Sequence, residues 1–185
     1  MCASTPTTRA EPSASLIGYQ GEKIKSYLGD KYRGRKITYV VQQELNGTGN
    51  AVLLTQKYFA PDERFLIFYG DELFFKSDVE DCLKHEFSWL CWEVANPRAS
   101  GIATISQDGY ITAVVEKPDK PQSKIGVGGL MVINTDIFNY EPEKHQTGEY
   151  YLTSMMNGFV KDHRVRAVIG VNRPSFSAPK DIESR

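Results

Sequence analysis

Apolar residues along the chain switch repeatedly between a two-residue and a three-to-four-residue period, the signatures of strand and helix. Leu16-Ile17-Gly18-Tyr19 is a short apolar run ending in a glycine-containing turn. From Glu22 to Leu28, Ile24, Tyr27 and Leu28 stand at helical spacing, and Gly29-Asp30 stops the helix. Ile37 to Val41 is β-branched and aromatic and reads as a strand. Gly49 to Phe59 looks helical, with Val52, Leu53, Gln56 and Phe59 on one side. Phe65 to Tyr69 is apolar throughout, the pattern of a parallel strand covered on both faces. Ser77 to Glu86 reads as a helix capped by Ser77, with Glu80 completing a capping box. Trp89 to Val94 is another strand.

Gly101 to Ile105 and Tyr110 to Glu116 flank Gln107-Asp108-Gly109, which predicts a hairpin. Lys117 to Lys124 contains two prolines and reads as a surface loop. Gly128 to Asn134 is strand-like. Leu152, Met155, Met156, Phe159 and Val160 form the stripe of a helix over Tyr151 to Val160, and Arg164 to Gly170 is a final strand. Strand–helix alternation followed by a hairpin predicts an α/β domain whose sheet is mostly parallel with an antiparallel insertion. No internal repeat and no second domain is evident. Residues 16–185 read as a single domain, and Met1 to Ser15, rich in Ser, Thr, Ala and Pro, as a disordered tail.

Composition narrows the class without naming it. The chain has 185 residues, 41% hydrophobic and 24% charged, which are globular values. Its 22 basic and 23 acidic residues give no general electrostatic argument for nucleic acid or an anionic membrane as partner. Cys2, Cys82 and Cys91 are an odd number without a disulfide spacing, and read as reduced thiols of a cytoplasmic protein. His85, His145 and His163 lack metal-ligand spacing. No apolar run approaches the roughly 20 residues of a membrane-spanning helix.

Open α/β sheets bind ligands at the carboxyl ends of their strands, so the residues after the strongest strands are the candidates. After Val41 comes Gln42, followed by Leu45-Asn46-Gly47-Thr48-Gly49-Asn50-Ala51; after Tyr69 comes Gly70-Asp71-Glu72; after Val115 comes Glu116-Lys117-Pro118. Glycines let backbone amides approach a ligand, and Gln42 carries the donor and acceptor needed to read a base edge. Asp71 suits a hard cation such as Mg²⁺, and Lys117 is a compact charge able to receive a phosphate. Taken singly, each is more often an ordinary turn, helix start or solvated pair than a ligand site.

Together and in this order, these stretches resemble the sugar-1-phosphate nucleotidyltransferases. Gly18-Tyr19-Gln20-Gly21-Glu22-Lys23-Ile24, Gly128-Gly129-Leu130 with Ile137-Phe138, and Gly148-Glu149-Tyr150-Tyr151-Leu152-Thr153 extend the resemblance from about Ser15 to Gly170. It implies a Rossmann-like nucleotide-diphospho-sugar transferase fold and a reaction joining a nucleoside triphosphate to a sugar-1-phosphate, with release of pyrophosphate. By the same resemblance, Gln42, Gly47, Thr48 and Gly49 form the nucleotide side. Gly101, Glu116, Glu149 and Thr153 line the sugar, Lys117 meets the sugar phosphate, and Asp71 holds Mg²⁺. Asp71 and Lys117 are the candidate catalytic pair, and UTP or dTTP with glucose-1-phosphate are the expected substrates.

The sequence departs from the family pattern in two places. Met1 to Ser15 contains no Gly, so the expected fold lacks the family's first strand and its glycine-rich triphosphate loop. In Arg173-Pro174-Ser175-Phe176-Ser177-Ala178-Pro179-Lys180-Asp181, Ser175 stands where the family has a second metal-binding Asp. Three readings follow: a nucleotidyltransferase, a catalytically degenerate nucleotide-sugar-binding or regulatory module, or a fragment of a longer enzyme. Loss of a strand leaves unpaired edges, so a homo-oligomer or pairing with a complete homologue is expected.

Overall fold

The computed structural model of the chain describes residues 13–170. The expectations for the amino-terminal tail before Ser13, and for the run from Arg173 to Asp181 with Ser175, lie outside the described residues.

The first unit is small. Strand β1 (Ser13–Ile17) leads into helix α1 (Gly21–Leu28), then the short β2 (Lys31–Tyr32) and β3 (Arg35–Val41). β1 runs parallel to β3, with Leu16 opposite Val40 and Ile17 opposite Val41, and β2 runs antiparallel on the other side of β3. Ser13, Ala14 and Ser15, which composition assigns to a tail, already pair with Ile37, Thr38 and Tyr39. Ladder pairing uses backbone groups and does not need apolar side chains at a strand's first residues. Gly29, with φ 67°, closes α1, and its carbonyl accepts a hydrogen bond from the Tyr39 hydroxyl at 2.6 Å.

The second unit is a six-stranded sheet organised around one long strand. It contains β4 (Arg64–Phe68), β5 (Phe87–Glu93), β6 (Gly101–Ile105), β7 (Ile111–Glu116), β8 (Ile125–Asn134) and β9 (Val165–Ile169). Helices α2 (Thr48–Leu53), α3 (Lys76–Leu83) and α4 (Leu152–Asp162) connect and cover it. One edge of β8 pairs along β5, which continues parallel into β9. The other edge is shared: β4 pairs with residues 130–134 of β8, and β6 joins at Gly126 before turning into β7. Between these two neighbours, at residues 127–129, the sheet forks.

Period-two alternation explains how this sheet holds its core. Trp89 and Cys91 of β5, with Met131 and Ile133 of β8, face the stripe Leu152, Met155, Met156 and Phe159 of α4. Leu90 and Trp92, with Leu130 and Val132, face Cys82 of α3 and Val94. All thirteen of these side chains from β5, β8, α3 and α4 are buried, and each large aliphatic or aromatic one among them stabilises the fold by roughly 1.5–3 kcal/mol.

The α/β class and the β6–β7 hairpin are as expected. The balance of strand directions is not: β1–β3 and β5–β9 are the parallel pairs, while β8 is antiparallel to β4, β5 and β6. Phe65 to Tyr69 was expected as a parallel strand covered on both faces, but β4 is antiparallel and Phe68 is 50% exposed. An apolar run reports burial of side chains, and direction is set by the partner strand.

Two helix boundaries also differ. The expected helix from Gly49 to Phe59 breaks after Leu53, because the Thr55 hydroxyl donates back to the Val52 carbonyl at 2.6 Å. A 3-10 turn over Gln56–Tyr58 follows, and Phe59 then stacks on Phe65 at 4.2 Å. Ser77 does not cap α3. The N-cap is Phe75, whose amide donates to the Asp78 carboxylate at 3.1 Å.

Candidate functional site

The fork in β8 creates the site. Where β4 ends, Tyr69 donates its amide to the Gly129 carbonyl at 2.8 Å, and Gly129 donates its own amide to Glu72 Oε2 at 3.0 Å. Tyr69 lies so close that a Cβ on Gly129 would meet its Cγ at 2.4 Å. Only glycine lets the strand pass beneath the ring. The Tyr69 hydroxyl is pushed up to about 12, chiefly by burial and further by Glu116, Glu72 and Asp71, against a hydrogen bond to Thr48 that pulls it down. Tyr69 therefore stays neutral and marks where carboxylates from two strand ends, and a threonine from a third segment, converge.

The other prong is the β7 end. Glu116 Oε2 accepts from the Thr153 hydroxyl at 2.9 Å, joining the last residue of β7 to the second residue of α4. Gly101 sits against both: a Cβ there would lie 2.9 Å from Thr153 Cγ2 and 3.1 Å from Glu116 Oε2. Next along the chain, Lys117 has φ 41°, a conformation rare for a residue with a Cβ. Its amide donates to the Ser100 carbonyl at 3.0 Å, and its ammonium donates to the Tyr151 hydroxyl at 2.6 Å. The bond to Tyr151 is the main cause that raises the Lys117 pKa, with Glu116 and Glu149 adding to it and burial opposing. The ammonium keeps its charge. Glu149 in turn accepts from the Tyr151 hydroxyl.

The loop after β3 is stitched onto this group. Gln42 spends its side-chain amide inside the loop, donating to the Gly47 carbonyl at 3.1 Å and to Asn46 Oδ1 at 3.3 Å. Tyr150 donates its amide to Asn46, and its carbonyl accepts from Gly49, both at 2.8 Å. The Thr48 hydroxyl accepts from the Leu152 amide at 2.9 Å. Gly47 has φ 121°, and a Cβ there would stand 2.3 Å from the Tyr150 carbonyl oxygen. The glycines of this loop are thus required by the main chain that they lie against.

Of the residues singled out by sequence, Glu116, Lys117, Glu149, Thr153 and Gly101 form one hydrogen-bonded or contacting group, and Thr48 reaches it through Tyr69 and Leu152. Gln42, Gly47 and Gly49 form the adjoining loop. Asp71 is exposed at the end of β4, on the side of Tyr69. Sequence reasoning missed Tyr69, Glu72 and Tyr151. Glu72 follows Asp71 directly, and Tyr151 stands between Glu149 and Thr153, so adjacency to candidate residues was the available signal. Among the described residues, no group of three or more His, Cys, Asp or Glu side chains is arranged to hold a metal. Asp71 alone still fits Mg²⁺ as a protein ligand, because that ion takes one or two carboxylates and completes its shell with water and substrate phosphates. Cys82 and Cys91 take no part. Burial pushes the Cys82 thiol up to about 11 and the Cys91 thiol further in the same direction.

Hydroxyl, carboxylate and ammonium groups are thus gathered at strand ends of a mixed α/β sheet, the place where proteins of this class bind their ligands. The family is more definite: the chain belongs to the nucleotidyl transferases, whose family model matches residues 14–171. It is 30% identical over 155 residues to the bifunctional protein GlmU of Methanocaldococcus jannaschii, covering 83% of this chain and 36% of that protein. It is 33% identical over 153 residues to a bifunctional sugar-1-phosphate nucleotidylyltransferase/acetyltransferase of Sulfurisphaera tokodaii, again covering 36% of the relative and 79% of this chain. The UTP–glucose-1-phosphate uridylyltransferase AglF of Haloferax volcanii is 28% identical over 184 residues, with 93% of this chain and 74% of AglF covered. The chain thus spans about a third of the two bifunctional relatives.

Solved structures agree on the fold. One from Bacillus anthracis, described as a glucose-1-phosphate thymidylyltransferase, superposes with TM-score 0.74 at 23% identity, covering 92% of this chain and 73% of that one. A UDP-glucose pyrophosphorylase gives TM-score 0.73 at 18% identity, covering 91% and 77%. Among the described residues, no helix is long and apolar enough to cross a membrane.

Proposed function

We propose that this chain carries a sugar-1-phosphate nucleotidyltransferase site, transferring a nucleotidyl group from UTP or dTTP to a sugar-1-phosphate, with glucose-1-phosphate as the first candidate. The observation that carries this reading is the assembly of Lys117, Glu116, Thr153 and Glu149 at the end of β7, with Glu116 and Asp71 both near the Tyr69 hydroxyl of the neighbouring prong. A phosphate oxygen of the sugar attacks the α-phosphorus, the new P–O bond forms, the bond to the bridging oxygen breaks, and pyrophosphate leaves. Such a reaction asks the protein for positioning and charge compensation rather than covalent chemistry.

In this reading Lys117 receives the sugar phosphate, while Glu116 and Glu149 accept hydrogen bonds from sugar hydroxyls. Thr153 keeps Glu116 in place, and Gly101 leaves room for the ring. The loop Gln42 to Gly49 meets the base. Asp71 would hold Mg²⁺, which supplies compensation of phosphate charge when bound. A cytoplasmic setting belongs to the same reading and is supported by the buried free thiols of Cys82 and Cys91.

The test is pyrophosphate release from the purified chain with Mg²⁺, a panel of nucleoside triphosphates and a panel of sugar-1-phosphates. Turnover with one pair, lost in Asp71→Asn, is expected. Saturable nucleotide-sugar binding without turnover on any pair would move the assignment to a binding or regulatory module. Full activity in Asp71→Asn would remove the metal assignment.

A further inference from the structure

We infer that Tyr151 is the positioning residue for Lys117: its hydroxyl accepts from the lysine ammonium and donates to Glu149, so the charge is held in place before any phosphate arrives. The inference rests on the reading of Lys117 as the group that meets the sugar phosphate.

A lysine places its charge at the end of a flexible four-carbon stem, so its position is ordinarily set by its partners. Here both ends are fixed. The backbone end is held at φ 41° with the amide bonded to Ser100. The ammonium end is held by Tyr151 at 2.6 Å and lies 4.4 Å from the centroid of the same ring. Glu116 Oε1 is farther away, at 3.9 Å, so the phenol and not the neighbouring carboxylate is the closest partner.

Tyr151 is itself rigidly mounted. It is the N-cap residue of α4, and its carbonyl accepts from the Ser154 hydroxyl at 2.8 Å. The His145 ring packs edge-on against it at 5.4 Å. Its hydroxyl bonds to Lys117 and Glu149, and at 3.3 Å to the Thr147 hydroxyl, which continues to His145 Nδ1 at 3.0 Å. None of these partners belongs to the apolar core. The start of α4 is anchored separately, by Thr48 on the Leu152 amide. Removing the oxygen therefore leaves the ring, the helix start and the core in place, and takes away the hold on the ammonium and on Glu149 together with the longer contact to Thr147.

The experiment uses the whole chain as wild type, Tyr151→Phe and Lys117→Ala. Glucose-1-phosphate and UTP are titrated separately by calorimetry, and the Lys117 ammonium is titrated by NMR of its ε-carbon. Glu116, Glu149 and His145 are the other ionisable groups around it. Tyr151→Phe is expected to weaken glucose-1-phosphate about tenfold, the loss of one charge-assisted hydrogen bond. UTP affinity should stay within about twofold, since its loop is not touched. The Lys117 titration should move to lower pH, which a merely structural role for the ring would not produce. An unmoved Lys117 titration in Tyr151→Phe overturns the inference. So does unchanged glucose-1-phosphate affinity in that variant alongside a loss in Lys117→Ala, an outcome that leaves the proposed function standing. If the wild type binds no sugar-1-phosphate at all, the functional reading fails, and the NMR titration alone decides whether Tyr151 holds Lys117.

Discussion

Among the described side chains of the three-stranded sheet, Ile17 and Val40 are the buried strand residues, whereas in the six-stranded sheet β5 is buried continuously from Phe87 to Trp92. The small unit also leaves Tyr19, Tyr27, Tyr32 and Val41 at its surface. The large one is covered by α4 on one face and α3 on the other. The candidate site takes its glycine loop from the end of β3 and its charged groups from the strand ends of the large sheet. Its two halves thus rest on foundations of unequal strength, and the hydrogen bonds of Asn46, Thr48 and Gly49 to the Tyr150–Leu152 backbone tie the weaker half to the stronger.

The largest effect should come from breaking the stronger half. Phe159 is fully buried and meets the Phe87 ring edge-on at 5.3 Å. Phe159→Ala is expected to destabilise the chain by about 3–5 kcal/mol in chemical denaturation. Val40→Ala, the matching deletion in the small sheet, should lose about 1.5 kcal/mol, because two methyl groups leave a thinner core. Equal losses would mean that the two sheets share one core, and the comparison would fail.

The next effect targets the tie. At Gly47 a side chain meets both a φ of 121° and the Tyr150 main chain at 2.3 Å. Strain from the dihedral alone is on the order of 1–3 kcal/mol. Gly47→Ala should therefore release the loop from Tyr150. Amide exchange at Gly49 and Tyr150 should rise sharply while exchange in β5 stays slow, since local opening need not involve the core. Uniform acceleration across both sheets would show that the loop is not a separate unit.

These contrasts also explain which features were legible in the sequence. The helical stripe of α4, the turn Gln107-Asp108-Gly109 and the strand β5 are written in local periodicity, and each forms where its pattern indicated, with ends that shift by one or two residues. The gathering of Glu116, Lys117, Glu149 and Thr153 was legible only as an ordered set of motifs, because their contacts span 34 to 37 positions. The direction of β4 was not legible. Phe65 to Phe68 owe it to residues 130–133 of β8, far along the chain. Nor was the role of the Gly47 to Gly49 stretch against Tyr150, since a glycine near a helix start looks the same whether it faces a ligand or another backbone. Tyr69 closes an apolar run that reads as a strand covered on both faces, yet its hydroxyl reaches Thr48 at the site.

A smaller effect belongs to that tyrosine, on the large-sheet side of the tie. The folded chain holds the Tyr69 proton up to about 12, while an unfolded tyrosine loses it near 10. Above about pH 10 the unfolded state binds fewer protons, so the stability linked to Tyr69 is complete below that pH and fades as pH rises toward 12. Spectrophotometric titration should show one late-ionising tyrosine that disappears in Tyr69→Phe. The alkaline fall in stability should be shallower in that variant. An early-titrating Tyr69 would place it in solvent, outside the junction of the two halves.

The smallest effect is expected on the outer face of the small unit. Tyr27 is 89% exposed in α1, one turn from the Glu22–Lys25 ion pair. A surface residue away from caps and the core changes stability by no more than about 0.5 kcal/mol when truncated. Tyr27→Ala should therefore leave the denaturation midpoint almost where it was, while Ile17→Ala, on the buried side of the neighbouring β1, shifts it measurably. The pair of variants locates the small unit's core on the β1–β3 face rather than on the helix surface. A loss above roughly 1 kcal/mol in Tyr27→Ala would place buried surface on α1, and would make the small unit more nearly the equal of the large one than its strand burial indicates.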